Sequence, residues 1–180
     1  MKKKLIIYES KTGNAKQYAL WLQQALCCEI YPLSQLKNLN LSQYDVIIFG
    51  SWILGSQLQG WEKINPQLNQ LVNKHICIFC VGMSLVNQNN LDAVINKNFT
   101  SEEKAKYKIF GLRGNLIIDK QNFFIKSCFK LFNFTLNNKL KKNKAIKPEE
   151  KEILTAISGD IKPLNRDDLK PIIAYLQTLT

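Results

Sequence analysis

The residues best suited to chemistry in this 180-residue chain lie between Ser10 and Ala15, directly after an apolar run at residues 5–8. The stretch reads Ser10-Lys11-Thr12-Gly13-Asn14-Ala15, and apolar residues at helical spacing follow it. A tight loop between a strand and a helix directs backbone N–H groups at one point, where the helix N-terminus adds partial positive charge. Ser10 and Thr12 can donate hydroxyl hydrogen bonds to phosphate oxygens, and Gly13 tolerates a positive φ. The loop predicts a phosphate site, and the alternative is an ordinary strand-to-helix turn with an N-cap.

Two further turns carry the small or special residues that a binding site needs. They follow residues 45–50 and 76–81, which read as strands of the continuous apolar kind, buried on both faces. The first turn consists of Ser51, Trp52, Ile53, Leu54 and Gly55, and the second of Gly82, Met83 and Ser84. Because ligands of open parallel sheets bind outside the carboxyl ends of the strands, we expect both turns to join the first loop in one site.

The rest of the chain alternates predicted strands with predicted helices. Strands are predicted at residues 3–8, 28–32, 45–50, 76–81 and 108–112, and helices at 14–26, 61–72, 89–99, 100–106 and 166–179. This alternation indicates an α/β fold with a parallel sheet and helices on both faces. At this length we expect a single domain over residues 1–180, with an insertion at about 113–150.

The first loop resembles the phosphate loop of flavodoxins, Ser/Thr-x-Thr-Gly-Asn-Thr, which binds the phosphate of FMN. Ser10, Thr12, Gly13 and Asn14 match that pattern, and Ala15 replaces the last Thr. The loop has neither the Gly-x-Gly-x-x-Gly spacing of dinucleotide sites nor the Gly-Lys-Ser/Thr of a Walker loop. The resemblance covers all three turns. It implies a flavodoxin-like doubly wound five-stranded parallel sheet of order 2-1-3-4-5, a helical insertion before the last helix, and FMN as the cofactor.

The same resemblance implies roles for the other two turns. Flavodoxins often place an aromatic residue of the second loop against the flavin ring, where stacking contributes about 0.5–1.5 kcal/mol beyond area burial. Trp52 is the candidate here, and the alternative is a Trp that fills the gap between the strand end and a neighbouring helix. In the third turn, backbone groups of residues 82–84 would lie at the polar edge of the flavin.

Cysteine and histidine usage argues against a metal centre. Cys77 and Cys80 have Cys-x-x-Cys spacing, but they lie in a predicted buried strand, where residues three apart point to opposite faces. We interpret them as small core residues. His75 is the only histidine in the chain and stands at the start of that strand, so we predict no metal site and assign no acid–base residue.

The net charge of +11 departs from the acidic character of typical electron-carrier flavodoxins. It indicates anionic lipid, nucleic acid or an acidic protein as candidate partners, or a Lys- and Asn-rich surface that only maintains solubility. No apolar run is long enough to span a bilayer, and the run after Lys2–Lys4 ends at Glu9. We expect a cytoplasmic protein, with peripheral membrane contact left open and no nucleic acid partner.

The insertion is aromatic and basic. Residues 122–137 predict a helix with one narrow polar stripe, and a basic cluster at residues 139–144 follows it. This combination suits an interfacial membrane helix or a partner groove, and the alternative is a helix that covers the sheet edge or forms a lid.

Together with Ile109 to Arg113, the insertion resembles the menaquinone-dependent protoporphyrinogen oxidase group, whose members use FMN to pass electrons from a porphyrinogen to a quinone. The resemblance implies an FMN-dependent oxidoreductase acting on a quinone, a porphyrinogen or a similar substrate. The alternatives are a non-catalytic electron carrier that docks a redox partner protein, and a binding module that has lost flavin.

Overall fold

The computed structural model describes residues 2–83, 85, 87–115, 131, 134–136, 138–139 and 163–179. The chain divides into two compact units, which are described separately below. The first comprises Met1–Gly114 and Asn165–Thr180, and the second comprises Asn115–Leu164. Ser84 and most of the predicted insertion lie outside the described residues, and a single domain over the whole chain stays a prediction.

The first unit is built on a twisted parallel sheet. Its strands are β1 (Lys4–Glu9), β2 (Glu29–Pro32), β3 (Val46–Leu54), β5 (His75–Gly82) and β6 (Lys108–Arg113), in the order β2-β1-β3-β5-β6. Every pair along this order is parallel. This confirms the predicted order of five parallel strands. One further short strand, β4 (Gln57–Leu58), pairs antiparallel with the end of β3 and was not predicted.

The helices connect these strands in the predicted places. They are α1 (Asn14–Leu26), α2 (Trp61–Asn69), α3 (Gln88–Asn98), α4 (Ser101–Lys106) and α5 (Lys170–Gln177). Thr100 and Glu103 form a reciprocal capping box that begins α4, the helix predicted at residues 100–106. The last predicted helix differs at its start, because Arg166–Leu169 form a 3₁₀ turn before α5. Pro171 is accommodated in the first turn of α5, where its missing N–H costs no helical hydrogen bond.

Side-chain alternation along the strands creates two buried faces. Ile7, Phe49 and Ile78 belong to one core cluster, and α2 and α3 add Ile64 and Val94 to it. The intervening residues Ile6, Ile48 and Phe79 point to the other face and are also fully buried. On that face α1 contacts β1, β3 and β5 and also contacts α5. The sheet is therefore covered by helices on both faces, as predicted.

Tyr18 in α1 joins two distant parts of this unit. Its buried hydroxyl lies 2.9 Å from the carbonyl oxygen of Arg113 and 2.9 Å from Oδ2 of Asp168. Burial, together with the Asp168 carboxylate, raises the pKa of Tyr18. The interaction ties the end of β6 to the 3₁₀ turn that leads into α5.

The described part of the second unit is helical at residues 131, 134–136 and 138–139. The Thr135 hydroxyl donates to the carbonyl oxygen of Leu131 over 2.9 Å, a bond typical of a helical turn. Leu131 and Phe134 are 69% and 66% exposed, whereas Leu136 is buried. Among the described helices of the whole chain, none is both long and apolar enough to cross a bilayer.

The Cys-x-x-Cys pair lies inside β5. Cys77 and Cys80 are completely buried, and only Cys80 belongs to the core cluster on the α2–α3 face. Burial raises the pKa of Cys80 to about 12 and also raises that of Cys77. Because the thiolate is the reactive form, both thiols are inert at neutral pH. This agrees with their interpretation as small core residues.

We expect alkylation of the native protein to distinguish these thiols from Cys27, which is exposed. Brief treatment with iodoacetamide, followed by peptide mass spectrometry, should label Cys27 and leave Cys77 and Cys80 unmodified. The same treatment in denaturant should label all three and serves as the control. Native labelling of Cys77 or Cys80 at the rate of Cys27 would contradict their placement in β5.

Candidate functional site

The candidate site lies at the carboxyl edge of the sheet, where β1, β3 and β5 end side by side. In the strand register Glu9 lies opposite Ser51, and Trp52 lies opposite Val81. The residue after Glu9 is Ser10, and the residue after Val81 is Gly82. The parallel sheet thus brings the first residues of all three predicted turns to one edge.

The first loop is open at its centre. Gly13 has φ 90° and ψ −16°, and a Cβ atom built there would meet no atom within 4 Å. A side chain at residue 13 would be strained by the backbone conformation and would occupy open space at the loop. Lys11 is exposed, Thr12 is partly exposed, and Asn14 and Ala15 are buried at the start of α1.

Hydrogen-bond donors are gathered at this opening. The first intrahelical bond of α1 runs from the N–H of Gln17 to the carbonyl of Gly13 over 2.9 Å. The backbone N–H groups of Ala15 and Lys16 precede that bond and lie at the positive end of the helix dipole. The N-cap residue is Gly13, which has no side chain to cap this helix end.

Ser10 provides the most specific indication of a ligand. Its Oγ is buried and has no hydrogen-bond partner among the described residues. A buried hydroxyl without a partner is costly, by about 1–3 kcal/mol, and such groups are rare in folded proteins. The combination of this donor, the open space at Gly13 and an uncapped helix N-terminus fits a phosphate group.

The second predicted turn is a β-hairpin. β3 continues through Ser51 to Leu54, the chain turns at Gly55 and Ser56, and β4 pairs back with Ile53 opposite Leu58. Gly55 and Ser56 have φ values of 56° and 63°, which is the pattern of a two-residue type I′ turn. The Gly-Ser pair at the turn was a usable signal, but the strand was predicted to end at residue 50.

Ser51 is engaged within this hairpin. It is fully buried, and its hydroxyl donates to the carbonyl oxygen of Gln59 over 2.6 Å. Its hydroxyl therefore stabilises the hairpin, in contrast to the unpaired hydroxyl of Ser10. A contact between Ser51 and a cofactor stays a prediction.

The hairpin presents two apolar side chains on one face. Ile53 packs against the core cluster, so Trp52 and Leu54 point to the opposite side of β3. Trp52 is half-buried, and its indole contacts no other aromatic ring in the described part of the chain. Leu54 is 62% exposed. The Trp52 indole is therefore available for stacking on a flavin ring, and that role stays a prediction.

The third turn approaches the hairpin closely. A Cβ on Gly82 would lie 3.1 Å from Cγ of Leu85 and 3.2 Å from Cδ1 of Ile53. Gly82 thus allows the end of β5 to pack tightly against the hairpin residue Ile53. Met83 is half-buried, and Ser84, the last predicted site residue, lies outside the described residues.

Two residues of α3 that sequence reasoning did not select also contact this region. The side chains of Lys97 and Asn98 donate hydrogen bonds to backbone carbonyls of the hairpin turn. They lie about forty positions along the chain from the groups that they bind, so no local pattern identified them.

Comparison with known proteins supports a family assignment. Residues 5–143 match the family model described as "Flavodoxin domain". Similar solved structures include a flavoprotein in complex with FMN from Lactobacillus acidophilus NCFM, with 18% identity, 63% of this chain and 93% of that chain covered, and a TM-score of 0.45. A flavodoxin from the domain Archaea is 14% identical, with 70% of this chain and 90% of that chain covered and a TM-score of 0.41. Oxidised Flavodoxin 2 from Bacillus cereus is 17% identical, with 70% of this chain and 92% of that chain covered and a TM-score of 0.36.

No curated protein matches the chain. The family match, however, spans well over half of its residues and includes the open loop at Gly13, the hairpin and the end of β5. This chain belongs to the flavodoxin domain family.

Proposed function

We propose that this protein binds FMN at the carboxyl edge of its sheet and acts as a flavodoxin-type redox protein. The observation that carries the proposal is the buried hydroxyl of Ser10, which has no partner in the described part of the chain, beside the open loop at Gly13. The family assignment supports it, since the matched residues contain this loop.

The chain's own residues account for cofactor position. Ser10, Thr12 and the first-turn N–H groups of α1 would hold the phosphate, Trp52 would lie against the ring, and the backbone at Gly82 and Met83 would face its polar edge. Bound FMN supplies the electron-transfer chemistry, while the protein supplies orientation and electrostatics. We therefore assign no residue to acid–base catalysis.

We further propose that the protein is an oxidoreductase acting on a quinone, a porphyrinogen or a similar apolar, conjugated molecule. The support is the apolar character of the site's rim. Leu54 is 62% exposed, and Trp52 and Met83 are half-buried. An exposed apolar side chain beside a redox site favours an apolar substrate, because covering it removes apolar surface from water.

The second candidate function is an electron carrier that docks a partner protein. The net charge of +11 favours it, since an acidic partner would be attracted to a basic protein. The two functions differ in turnover. An oxidoreductase oxidises its substrate repeatedly in the presence of a soluble quinone, whereas a carrier exchanges electrons only with a partner protein and does so more slowly as salt rises.

Ser10→Ala provides the sharpest test of the phosphate site. A hydrogen bond to a charged group contributes about 1.5–3 kcal/mol, so titration of the apoprotein with FMN should show affinity reduced roughly 10- to 150-fold. The stability of the apoprotein in urea should be unchanged or higher, because the variant removes a buried donor that has no partner.

Ser42→Ala is the matched control for Ser10→Ala. The Ser42 hydroxyl bonds to the side chain of Asn40 at the opposite, amino-terminal end of β3. The Ser42→Ala variant should therefore bind FMN with the affinity of the wild type. Equal affinity in wild type and Ser10→Ala would show that the Ser10 hydroxyl does not contact the phosphate.

Flavin fluorescence tests the position of Trp52. If its indole lies against the flavin ring, FMN bound to the wild type should be strongly quenched, and Trp52→Ala should recover several-fold more emission at saturating FMN. Trp21→Ala is the control, because it also removes an indole but lies in the middle of α1, edge-on to Tyr18. A Trp52→Ala variant as dark as the wild type and as tightly bound would assign Trp52 to packing.

A peripheral contact with anionic membranes through residues 122–144 is a separate proposal. Its support is the pair of exposed apolar side chains, Leu131 and Phe134, in a sequence stretch that has eight lysines and no acidic residue between positions 120 and 147. Each lysine near an anionic surface contributes roughly 1 kcal/mol, and the attraction decays over a Debye length of about 8 Å at physiological salt.

Liposome co-sedimentation tests this contact. We expect the wild type to sediment with phosphatidylserine-containing vesicles at low salt, and less at high salt. Leu131→Gln combined with Phe134→Gln should weaken sedimentation, whereas Val72→Gln, a control that removes a 76% exposed apolar side chain from the first unit, should not. Equal sedimentation with neutral and anionic vesicles would exclude the anionic membrane as the partner.

A further inference from the structure

The hairpin formed by β3 and β4 is held from outside by the last two residues of α3. Nδ2 of Asn98 donates to the carbonyl oxygen of Ser56 over 2.7 Å, and its Oδ1 accepts from the N–H of Leu58 over 2.9 Å. Nζ of Lys97 donates to the carbonyl oxygen of Gly55 over 2.7 Å. One amide side chain therefore binds the turn at Ser56 and the following strand at Leu58, and one ammonium group adds a third bond, at Gly55.

Asn98 is itself fixed. Its Nδ2 also donates to the carbonyl oxygen of Val94, one turn earlier in α3, over 2.7 Å. The next residue, Phe99, is buried in the core cluster, with its ring centroid 4.7 Å from that of Trp61. The hairpin is thus connected to the core through two consecutive residues, Asn98 and Phe99.

The hairpin needs such support. β4 has only two residues and, among the described strands, pairs only with the end of β3. Its own backbone pairing therefore holds it by few hydrogen bonds. The support bears on the candidate site because β4 pairs with Ile53 and Leu54 of β3, and the N–H of Gln59 donates to the carbonyl oxygen of Trp52 over 3.1 Å. Ile53 also contacts the position of Gly82. A displaced hairpin would therefore move Trp52, Ile53 and Leu54.

We propose that Asn98 is a positioning residue for the cofactor ring. It holds the β3–β4 hairpin in its binding-competent position and so preorganises Trp52. This inference rests on the proposed binding of FMN. Affinity falls in proportion to the fraction of molecules in the competent conformation, so a hairpin that is correctly placed one-tenth of the time binds about tenfold more weakly.

The experiment compares Asn98→Ala, Lys97→Met and the control Asn96→Ala with the full-length wild type. Asn96 lies on the same helix, but its side chain accepts a hydrogen bond from Lys104, far from the hairpin contacts. Lys97→Met removes a single, exposed contact, so it tests the same idea if Asn98→Ala folds poorly. The measurements are FMN titration, fluorescence of the bound flavin at saturating FMN, and amide hydrogen exchange at residues 57–59 in the apoprotein.

We expect Asn98→Ala to weaken FMN binding about tenfold, to raise the emission of the bound flavin, and to speed exchange at residues 57–59. Lys97→Met should change the affinity, the emission and the exchange rate in the same directions but by smaller amounts. Asn96→Ala should change none of these three quantities. The emission at saturation distinguishes positioning from general stability, because a merely destabilised protein saturated with FMN has the same quenched flavin as the wild type.

Two failures are distinguishable. If the wild type itself binds no FMN, the proposed function is wrong. If the wild type binds FMN and both Asn98→Ala and Lys97→Met match it in affinity, emission and hairpin exchange, the positioning role of Asn98 is wrong while FMN binding stands.

Discussion

The parallel pairing of β1 with β3 and of β3 with β5 is the constraint on which the site depends. Parallel strands end at the same edge of a sheet, and their register sets Glu9 opposite Ser51 and Trp52 opposite Val81. The strand pairing thereby brings together Ser10, Ser51 and Gly82, which lie 41 and 31 positions apart along the chain. Each loop after a strand then needs only donor groups or side chains suited to the ligand. Helices cover both faces of the sheet. A ligand can therefore reach the strands at the carboxyl edge, where backbone groups beyond the strand ends are not used by the sheet's hydrogen bonds.

Stability and binding are in tension at the first loop. Ser10 buries a hydroxyl that has no partner among the described residues, Gly13 adopts a positive φ, and this glycine offers no side chain to cap α1. The unpaired hydroxyl and the free N–H groups of the helix end cost free energy in the protein alone, and an anion at the loop would offset both. Gly13 contributes differently, because it adopts a positive φ without strain and leaves the loop open. Ser51, one strand away, shows the opposite choice, because its buried hydroxyl is paired with Gln59 and stabilises the hairpin. Two serines at neighbouring strand ends thus have different physical roles.

The sequence was sufficient for the features that depend on local pattern. Residues 46–49 and 76–81 are runs of buried apolar residues, so their strands and the parallel sheet were predictable, as was the loop chemistry at Ser10 to Ala15. The length of β3 was not predicted, because Ser51 interrupts the apolar run and Gly55 resembles the end of a loop. The structure shows that Ser51 is paired and buried and that Gly55 and Ser56 form the turn of a hairpin. The insertion at 113–150 lies mostly outside the described residues.

Contacts between distant residues account for what no local pattern revealed. Asn98 lies 40 positions from Leu58 and 42 from Ser56, and in sequence it is one of several asparagines in an Asn-rich helix. In the fold, Phe99 packs beside Trp61, Asn98 binds the hairpin, and Asn96 instead accepts a hydrogen bond from Lys104. The loop proposed to bind phosphate can be recognised from six consecutive residues, because its donors are local backbone groups and hydroxyls. The side of the site proposed to bind the flavin ring depends on a hairpin that residues distant in sequence hold in place, so no local pattern identifies them.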